Sequence, residues 1–471
     1  MTSTKAGGTH PHPGDELSVT VERLAYGGVG VARFHGLTVF VRDSVPGERV
    51  RARVRRVFRR HVEAEPIAIE SPSPHRVPPR CRHVGDACGG CTWQHVSYAA
   101  QLAAKADAVR DSLERLGGLR DLPLLPILPA PDEFHYRNKM EFAFHPDGIL
   151  GLHPREAWYE IIPLRECLLA PPLMMSIVQA ARRFVEVHGI SLYHPRTRQG
   201  LLRDLCVRHG RGTGEVLLGL VTSPGAFPEA EAMAAHLADV DPCIKGVVRS
   251  IRRAPDGAAP PSETQLLHGR DHITEVVADL RFRIRVDTFF QTNSAQAERL
   301  VEVVMGLAGD VAGAQVVDVY SGVGLFSLAL AAAGAHVLGV EVVGTAVEDA
   351  RRNAAQNGLA TLTFHAGDAR KVLAEVLPAG LGPKVLLLDP PRAGAGGKVM
   401  RRVARAGPER ILYVSCNPTT LARDLVELRP FGYRITAVQP LDLFPQTYHV
   451  ETVVALERGT APTTDTEKST S

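Results

Sequence analysis

The stretch Gln315-Val-Val-Asp-Val-Tyr-Ser-Gly-Val-Gly-Leu-Phe-Ser-Leu328 decides the fold class. A short apolar run, a glycine turn and a second apolar run at helical spacing read as strand, turn and helix. Gly322 and Gly324 free the backbone at the carboxyl end of the strand, where open parallel sheets receive ligands. Outward from this stretch the rhythm of strand, turn and helix repeats, which predicts a Rossmann-like α/β domain over 276–458. Val319–Val340 is uncharged and long enough to test as a membrane span. It is broken by Ser321, Gly322, Gly324, Ser327, Gly334, His336 and Gly339, so no span is expected.

Several polar groups are predicted at the same sheet edge. The second strand, His336–Val340, ends in Glu341, an acid about 20 residues past the glycine turn, where ribose hydroxyls are held. Asp368 follows a third strand, Leu362–His365, within reach of an adenine ring. Position 327 is Ser rather than a third glycine, which favours a methyl-donor nucleoside over a dinucleotide. The fourth strand, Lys384–Leu388, ends in Asp389-Pro-Pro-Arg392, a rigid turn that sets a polar group between cofactor and substrate. Ile411–Val414 is the next strand, and Ser415-Cys-Asn-Pro418 follows it. Most buried cysteines are inert, and a nucleophilic thiol needs a lowered pKa or a nearby base. Cys416 at this edge is the candidate nucleophile. Phe444-Pro-Gln-Thr-Tyr-His-Val-Glu451 leads into a last strand, making Glu451 the candidate general base and His449 the alternative.

Over the whole chain of 471 residues, 45% are hydrophobic and 22% charged. These values exclude global disorder and a disulfide-stapled miniprotein, and the length suggests about three domains. Lys plus Arg number 54 against 51 acids, a net charge of +3 that by itself gives no sign of nucleic-acid binding. Locally the picture differs. Residues 14–70 alternate in short β-type runs punctuated by Gly and Pro, which predicts a small OB-like β-barrel. Within it, Arg49-Val-Arg-Ala-Arg-Val-Arg55 puts four arginines on one strand face, and Arg56, Arg59 and Arg60 follow. Seven arginines in twelve positions favour phosphate binding over an ordinary solvated face. Residues 71–275 are expected to form an α+β middle domain with a helix at about 98–118 able to pack on the catalytic domain. Residues 1–13 read as a flexible tail and 459–471 as a disordered one. No secretory signal is visible, so a cytoplasmic protein is expected, with no membrane partner and a monomer as the default.

The cysteine count of seven is odd. Cys81, Cys88 and Cys91 are spaced C-x6-C-x2-C, and Cys167 is a remote fourth candidate. Zinc and iron–sulfur both accept four thiolates, and the spacing leaves the two open. It is not the C-x3-C-x2-C of radical enzymes. Cys206 and Cys243 remain as core residues, and disulfides are not expected.

Taken together, Phe290-Gln-Thr-Asn293, Asp318-Val-Tyr-Ser-Gly-Val-Gly324, Asp389-Pro-Pro-Arg392, Ser415-Cys-Asn-Pro418 and His449-Val-Glu451 resemble the motifs of the RNA 5-methyluridine methyltransferases, class I enzymes that use S-adenosylmethionine. The resemblance implies Cys416 as nucleophile, Glu451 as base, and Gln291, Tyr320, Glu341, Asp368 and Asp389 as cofactor contacts. Where several relatives carry Asn, this chain has Leu325. Cys88-Gly-Gly-Cys-Thr-Trp-Gln94 resembles the segment that binds a four-iron, four-sulfur (4Fe-4S) cluster in the same family, implying Cys81, Cys88, Cys91 and Cys167 as its ligands. The N-terminal barrel resembles the TRAM domain of many members. Tyr136-Arg-Asn-Lys139 matches a segment near the substrate, with a solvated basic turn as an equal reading. Barrel plus cluster most resembles the ribosomal RNA (23S) branch, so ribosomal RNA is the favoured partner and transfer RNA the alternative. Two other functions compete: a non-catalytic RNA-binding protein that keeps the fold, and a methyltransferase acting on another base or on protein.

Overall fold

The structure is a computed structural model that describes residues 10–157, 159–253 and 263–459. Of the expected tails at 1–13 and 459–471, residues 1–9 and 460–471 lie outside the described residues. The chain divides into two compact units, one of Met1–Ala108, Ile127–Ala297 and Asp442–Val450, the other of Val109–Pro126, Glu298–Leu441 and Glu451–Ser471.

The first unit opens with β1 (Glu16–Leu24), β2 (Gly30–Phe34), β3 (Leu37–Val41), β4 (Arg49–Val57) and β5 (His61–Ser71), closed into a barrel in the order β1-β2-β3-β5-β4. Period-two patterning drives this closure: β1 and β4 each alternate exposed and buried residues. Leu17, Val19, Val21, Val50, Ala52 and Val54 thus meet Val39, Val41 and Val62 in one core. His35 and Gly36 join β2 to β3 in a two-residue turn, both with positive φ, which suits the right-handed twist of a hairpin.

The same unit holds a seven-stranded sheet: β6 (Lys139–His145), β7 (Ile149–Leu152), β8 (Ile162–Pro163), β9 (Leu202–His209), β10 (Val216–Thr222), β11 (Ile244–Ile251) and β12 (Glu263–Gly269). Their order is β12-β11-β10-β9-β6-β7-β8, antiparallel except for β10 with β11. After α1 (Tyr98–Asp111) come α2 (Pro172–His188) and α3 (Ala230–Ala238), which share that sheet's core. Met174, Ile177, Val178, Ala181, Phe184 and Val185 recur at helical spacing on the buried face of α2. Cys206 is buried in β9, and Cys243 packs against the core, as expected of structural thiols. A hairpin of β13 (Ile273–Val277) and β14 (Leu280–Ile284) precedes α4 (Ser294–Ala308).

The second unit is the predicted Rossmann-like sheet. Its strands are β15 (Gln315–Val319), β16 (His336–Glu341), β17 (Leu362–Ala366), β18 (Val385–Leu388), β19 (Arg410–Ser415), β20 (Tyr433–Leu441) and β21 (Glu451–Arg458). Their order is β17-β16-β15-β18-β19-β21-β20, and β21 runs antiparallel to both neighbours. The interleaved helices are α5 (Leu325–Ala332), α6 (Gly344–Gln356), α7 (Ala369–Val376), α8 (Gly397–Ala406) and α9 (Pro418–Val426). Central strands covered on both faces must be apolar throughout, and all four residues of β18 are buried.

The helix expected at about 98–118 ends earlier as an α-helix. Beyond Asp111 the chain widens into a π-type turn over Ser112–Leu116, closed by Gly117 N donating to Ser112 O at 3.2 Å. That turn packs against α9. Among the described residues no helix is long and apolar enough to cross a membrane.

Candidate active site

The site of the second unit is built by strand register. Val319 pairs with Val340 and with Leu388, so Tyr320, Glu341 and Asp389 each stand one residue beyond a paired position. Ser415 pairs with Thr452, so Cys416 follows the end of β19 where Glu451 begins the antiparallel β21. Reversal of that one strand brings an acid at a strand start to an edge otherwise made of strand ends.

The glycine turn is tightly folded. Tyr320 has φ 69, a left-handed conformation uncommon for a bulky residue. Its N–H and that of Ser321 both donate to Val340 O, at 2.8 and 3.1 Å. Gly322 has φ +54, and a Cβ there would meet nothing within 4 Å, so the backbone is open to a ligand. Glu341 accepts from Gly322 N at 3.0 Å and from Val343 N at 2.8 Å. Both oxygens are thereby fixed in place, each with lone pairs left for hydroxyl donors.

Carboxyls crowd this edge. Asp318 is fully buried, accepts from Ser327 Oγ at 2.5 Å and leaves Oδ1 without a partner. Desolvation pushes its pKa up to about 7 against the pull of Ser327, and the Glu341 charge adds to the rise. Asp389 is raised to about 8 by burial and by the Asp318 and Glu341 charges. Buried, mutually repelling carboxyls suit a ligand that brings positive charge and hydroxyl donors. The S-adenosyl group, with its sulfonium and ribose, has that chemistry. Asp368 is placed differently: it caps α7 through Arg370 N at 2.9 Å and pairs with the Arg370 guanidinium at 3.0 Å. Gln291 belongs to the first unit, where it is buried and its carbonyl accepts from Asn138 Nδ2 at 2.9 Å. Leu325 is the first residue of α5 and is buried.

Around Cys416 two motifs are pinned together. Asn417 Nδ2 donates to Arg392 O, and Thr420 Oγ1 donates to the same carbonyl, both at 3.2 Å. Asn417 Oδ1 caps α9 through Thr419 N at 3.1 Å. Burial pushes the Cys416 thiol up to about 11, Glu451 and Asp389 push the same way, and Arg392 opposes them. Glu451 is buried, and desolvation followed by the Asp389 charge holds its pKa well above the usual carboxylate range. Cys416, Glu451, Asp389 and Arg392 thus form one electrostatic group. The sequence reading missed Asp424, which accepts from Tyr413 OH at 2.5 Å and Ala395 N at 2.7 Å, fixing the loop after Asp389-Pro-Pro-Arg392. Buried polar residues of this kind carry no motif.

In the first unit, the loop that leads towards Glu451 is gripped by α1. Lys105 and Asp442 are both fully buried and pair at 2.5 Å, and Lys105 also donates to Phe444 O at 3.0 Å. Gln446, at φ 67, accepts on its carbonyl from Thr92 N and Trp93 N at 2.9 and 3.0 Å. His449 follows, with its ring 4.2 Å from that of Tyr448.

Cys81, Cys88, Cys91 and Cys167 line one cavity of about 20 Å³. All seven cysteines are free thiols. Desolvation raises Cys81, Cys88 and, to about 12, Cys91, and each is raised further by the charge of Cys167. Gln94 Nε2 donates to Cys91 Sγ at 3.2 Å, and Gln94 Oε1 accepts from Cys81 N at 3.0 Å. Among the described residues, no group of three or more His, Cys, Asp or Glu is placed to hold a metal ion. Beside the four thiols lies a groove of about 560 Å³ lined in part by Arg137, Lys139, Glu141 and Arg155. Lys139 is spent on Glu141 at 2.7 Å, and Arg155 reaches Asp43 at 2.6 Å and Cys91 O at 3.0 Å.

Residues 260–376 and 380–459 match the tRNA (Uracil-5-)-methyltransferase family, and residues 12–67 match the TRAM domain. An uncharacterized RNA methyltransferase of Bacillus cereus is 34% identical over 444 residues, covering 94% of this chain and 96% of that protein. The chain belongs to the RNA uracil-5-methyltransferase family. A second member, an uncharacterized RNA methyltransferase of Gloeobacter violaceus, is 38% identical over 454 residues, with 94% and 97% coverage. The structure of Pyrococcus abyssi tRNA (uracil-54, C5)-methyltransferase with S-adenosyl-L-homocysteine superposes with a TM-score of 0.74 at 31% identity, covering 93% of this chain and 99% of that one. The enzyme is therefore an RNA methyltransferase of an S-adenosylmethionine-dependent family, with a β-barrel TRAM domain at its N-terminus.

Proposed function

We propose that the enzyme methylates carbon 5 of a uridine in RNA through covalent addition of Cys416 at carbon 6. The observation that carries this reading is the strand reversal that sets Glu451 at the start of β21 against the end of β19, beside Cys416. Uracil carbon 5 is a weak nucleophile. Addition of the Cys416 thiolate to carbon 6 makes an enolate whose carbon 5 is reactive. S-adenosylmethionine supplies an electrophilic methyl group when bound. Glu451 then takes the carbon 5 proton, and elimination frees the thiol. Tyr320, Glu341 and Asp389 hold the cofactor, with Gln291 and Asp368 as further contacts. The base must leave its stack to be reached, which costs a few kcal/mol and favours an unpaired loop.

We further propose a 4Fe-4S cluster on Cys81, Cys88, Cys91 and Cys167. The donor set supports it: Cys81, Cys88 and Cys91 are thiols raised by desolvation that need a strongly cationic group before they become thiolates, and Cys167 lines the same cavity. Four thiols around one cavity suit either zinc or a cluster, and the likeness of Cys88-Gly-Gly-Cys-Thr-Trp-Gln94 to the family's iron–sulfur segment favours the cluster. On this reading the cluster helps fold the middle domain of residues 71–275.

As substrate, ribosomal RNA is the reading from sequence. Likeness to the Pyrococcus tRNA enzyme over nearly its full length weakens the argument from domain layout and favours transfer RNA as a second reading. Methylation of purified ribosomal and transfer RNA lacking 5-methyluridine, followed by mapping of the product, decides. One discrete uridine is expected in one RNA class, and no 5-methyluridine in either would refute the function. We take the enzyme to be a cytoplasmic monomer, which light scattering tests.

A further inference from the structure

The seven arginines of residues 49–60 are not one surface. On the face of β4, every arginine meets an acid from a flanking strand. Arg49 Nε donates to Glu70 Oε2 at 3.2 Å and to Ser18 Oγ at 3.1 Å. Arg51 lies 3.9 Å from Glu16 Oε2, Arg53 Nη2 donates to Glu16 Oε1 at 3.1 Å, and Arg55 pairs with Glu65 at 2.6 Å. The glutamates come from β1 and β5, which flank β4 in the barrel. Four arginines facing three glutamates present little net field. A phosphate would have to displace each carboxylate and then lie beside it.

The tip where β4 turns into β5 is different. Phe58 N donates to His61 O at 2.8 Å and closes the turn. Arg56, near the end of β4 and opposite Glu63 in register, and Arg59 and Arg60 in the turn are exposed, and no side-chain hydrogen bond or ion pair to them occurs among the described residues. Between them Phe58 remains 43% exposed. It is no loose side chain: its ring stacks on His61 with centroids 4.4 Å apart and 15° between planes, and His61 packs edge-on against Phe40 at 5.3 Å. An aromatic ring fixed from behind, with three exposed arginines within two residues of it in sequence, matches the chemistry of a nucleotide, with a flat base beside a phosphate. Duplex RNA hides its base faces, so a single strand is required.

We propose that the Phe58–His61 tip, and not the strand face of β4, is where the barrel grips single-stranded RNA, with one base on Phe58 and phosphates on Arg56, Arg59 and Arg60. The proposal rests on RNA being the substrate and adds a contact remote in sequence from Cys416.

The test is fluorescence anisotropy of the full chain with a labelled single-stranded RNA at several salt concentrations. Each phosphate contact on a single strand contributes about 0.7 to the slope of log K against log salt. The variant Arg56→Gln/Arg59→Gln/Arg60→Gln is expected to lower the slope by about 2. Phe58→Ala is expected to weaken binding by roughly tenfold without changing the slope, since stacking carries no counterion. Removing matched pairs from the face, Arg49→Gln/Glu70→Gln with Arg55→Gln/Glu65→Gln, is expected to leave the slope alone. A tip triple variant with the wild-type slope, or a face variant that loses as much, would overturn the proposal. So would Phe58→Ala binding as wild type. The same preparations are assayed for 5-methyluridine formation. Wild-type protein that methylates no RNA refutes the proposed function; protein that methylates while the tip variant keeps its slope refutes the tip alone.

Discussion

Two groups of thiols differ in what surrounds them. Cys81, Cys88, Cys91 and Cys167 line one cavity, where the first three are raised by desolvation and then by the charge of Cys167. Cys416 stands apart, raised by desolvation and by Glu451 and Asp389, with Arg392 pulling the other way. A thiol crowded by other thiols becomes a thiolate when a shared cation arrives. A thiol beside a carboxyl and a guanidinium can instead exchange its proton locally and turn over. In the proposed function the same residue type serves ligation in one unit and chemistry in the other.

The sharpest break in this comparison is Cys416→Ala. Methyl transfer to RNA is expected to fall by at least about a thousandfold, while iron and sulfide content stay at wild-type values. Retained turnover would place the chemistry elsewhere. Cys91→Ser inverts the pattern. Iron is expected to fall from about four per chain towards none, with loss of a broad absorption at about 400 nm. Colourless anaerobic wild-type protein with stoichiometric zinc would contradict the cluster. A smaller effect concerns Arg392. Below its pKa of about 11, the Cys416 thiolate fraction grows about tenfold per pH unit, so iodoacetamide should label it faster as pH rises from 7 to 9. Arg392→Gln removes the group that lowers that pKa and should slow labelling at pH 8 by about threefold, whereas Glu451→Gln should accelerate it. Equal rates in all three proteins would show that these charges do not govern the thiol. The buried carboxyls add a global effect. Asp318 and Asp389 have pKa values raised on folding, so the native state binds more protons than the unfolded chain between about pH 4 and 8. Stability should therefore fall as pH rises through that window, and Asp389→Asn should flatten the dependence of the melting temperature on pH.

Much of the second unit was legible in sequence because its signals are local. Apolar runs ending in Tyr320, Glu341, Asp389 and Cys416 mark strand ends whatever the strand order is. The barrel was legible for the same reason, through the alternation of β1 and β4. What escaped depends on partners far apart in the chain. That Glu16, Glu65 and Glu70 face Arg49, Arg51, Arg53 and Arg55 follows from barrel order, which period-two patterning does not contain. The same holds for Lys105 with Asp442 and Asp424 with Tyr413, which carry no motif, and for the bond between Asn417 and Arg392, which joins two motifs far apart in the chain. Asp368 is a further case: its position after β17 gives no sign that it caps α7 and pairs with Arg370.

The central claim, covalent catalysis by Cys416 with Glu451 as base, is most directly tested in Glu451→Gln protein mixed with S-adenosylmethionine and substrate RNA. Without the base the carbon 5 proton stays, elimination stalls, and the methylated RNA remains joined to Cys416. A denaturation-resistant protein–RNA adduct is predicted in Glu451→Gln and not in Cys416→Ala/Glu451→Gln. Free 5-methyluridine at the wild-type rate from Glu451→Gln, or the same adduct without Cys416, would contradict the account.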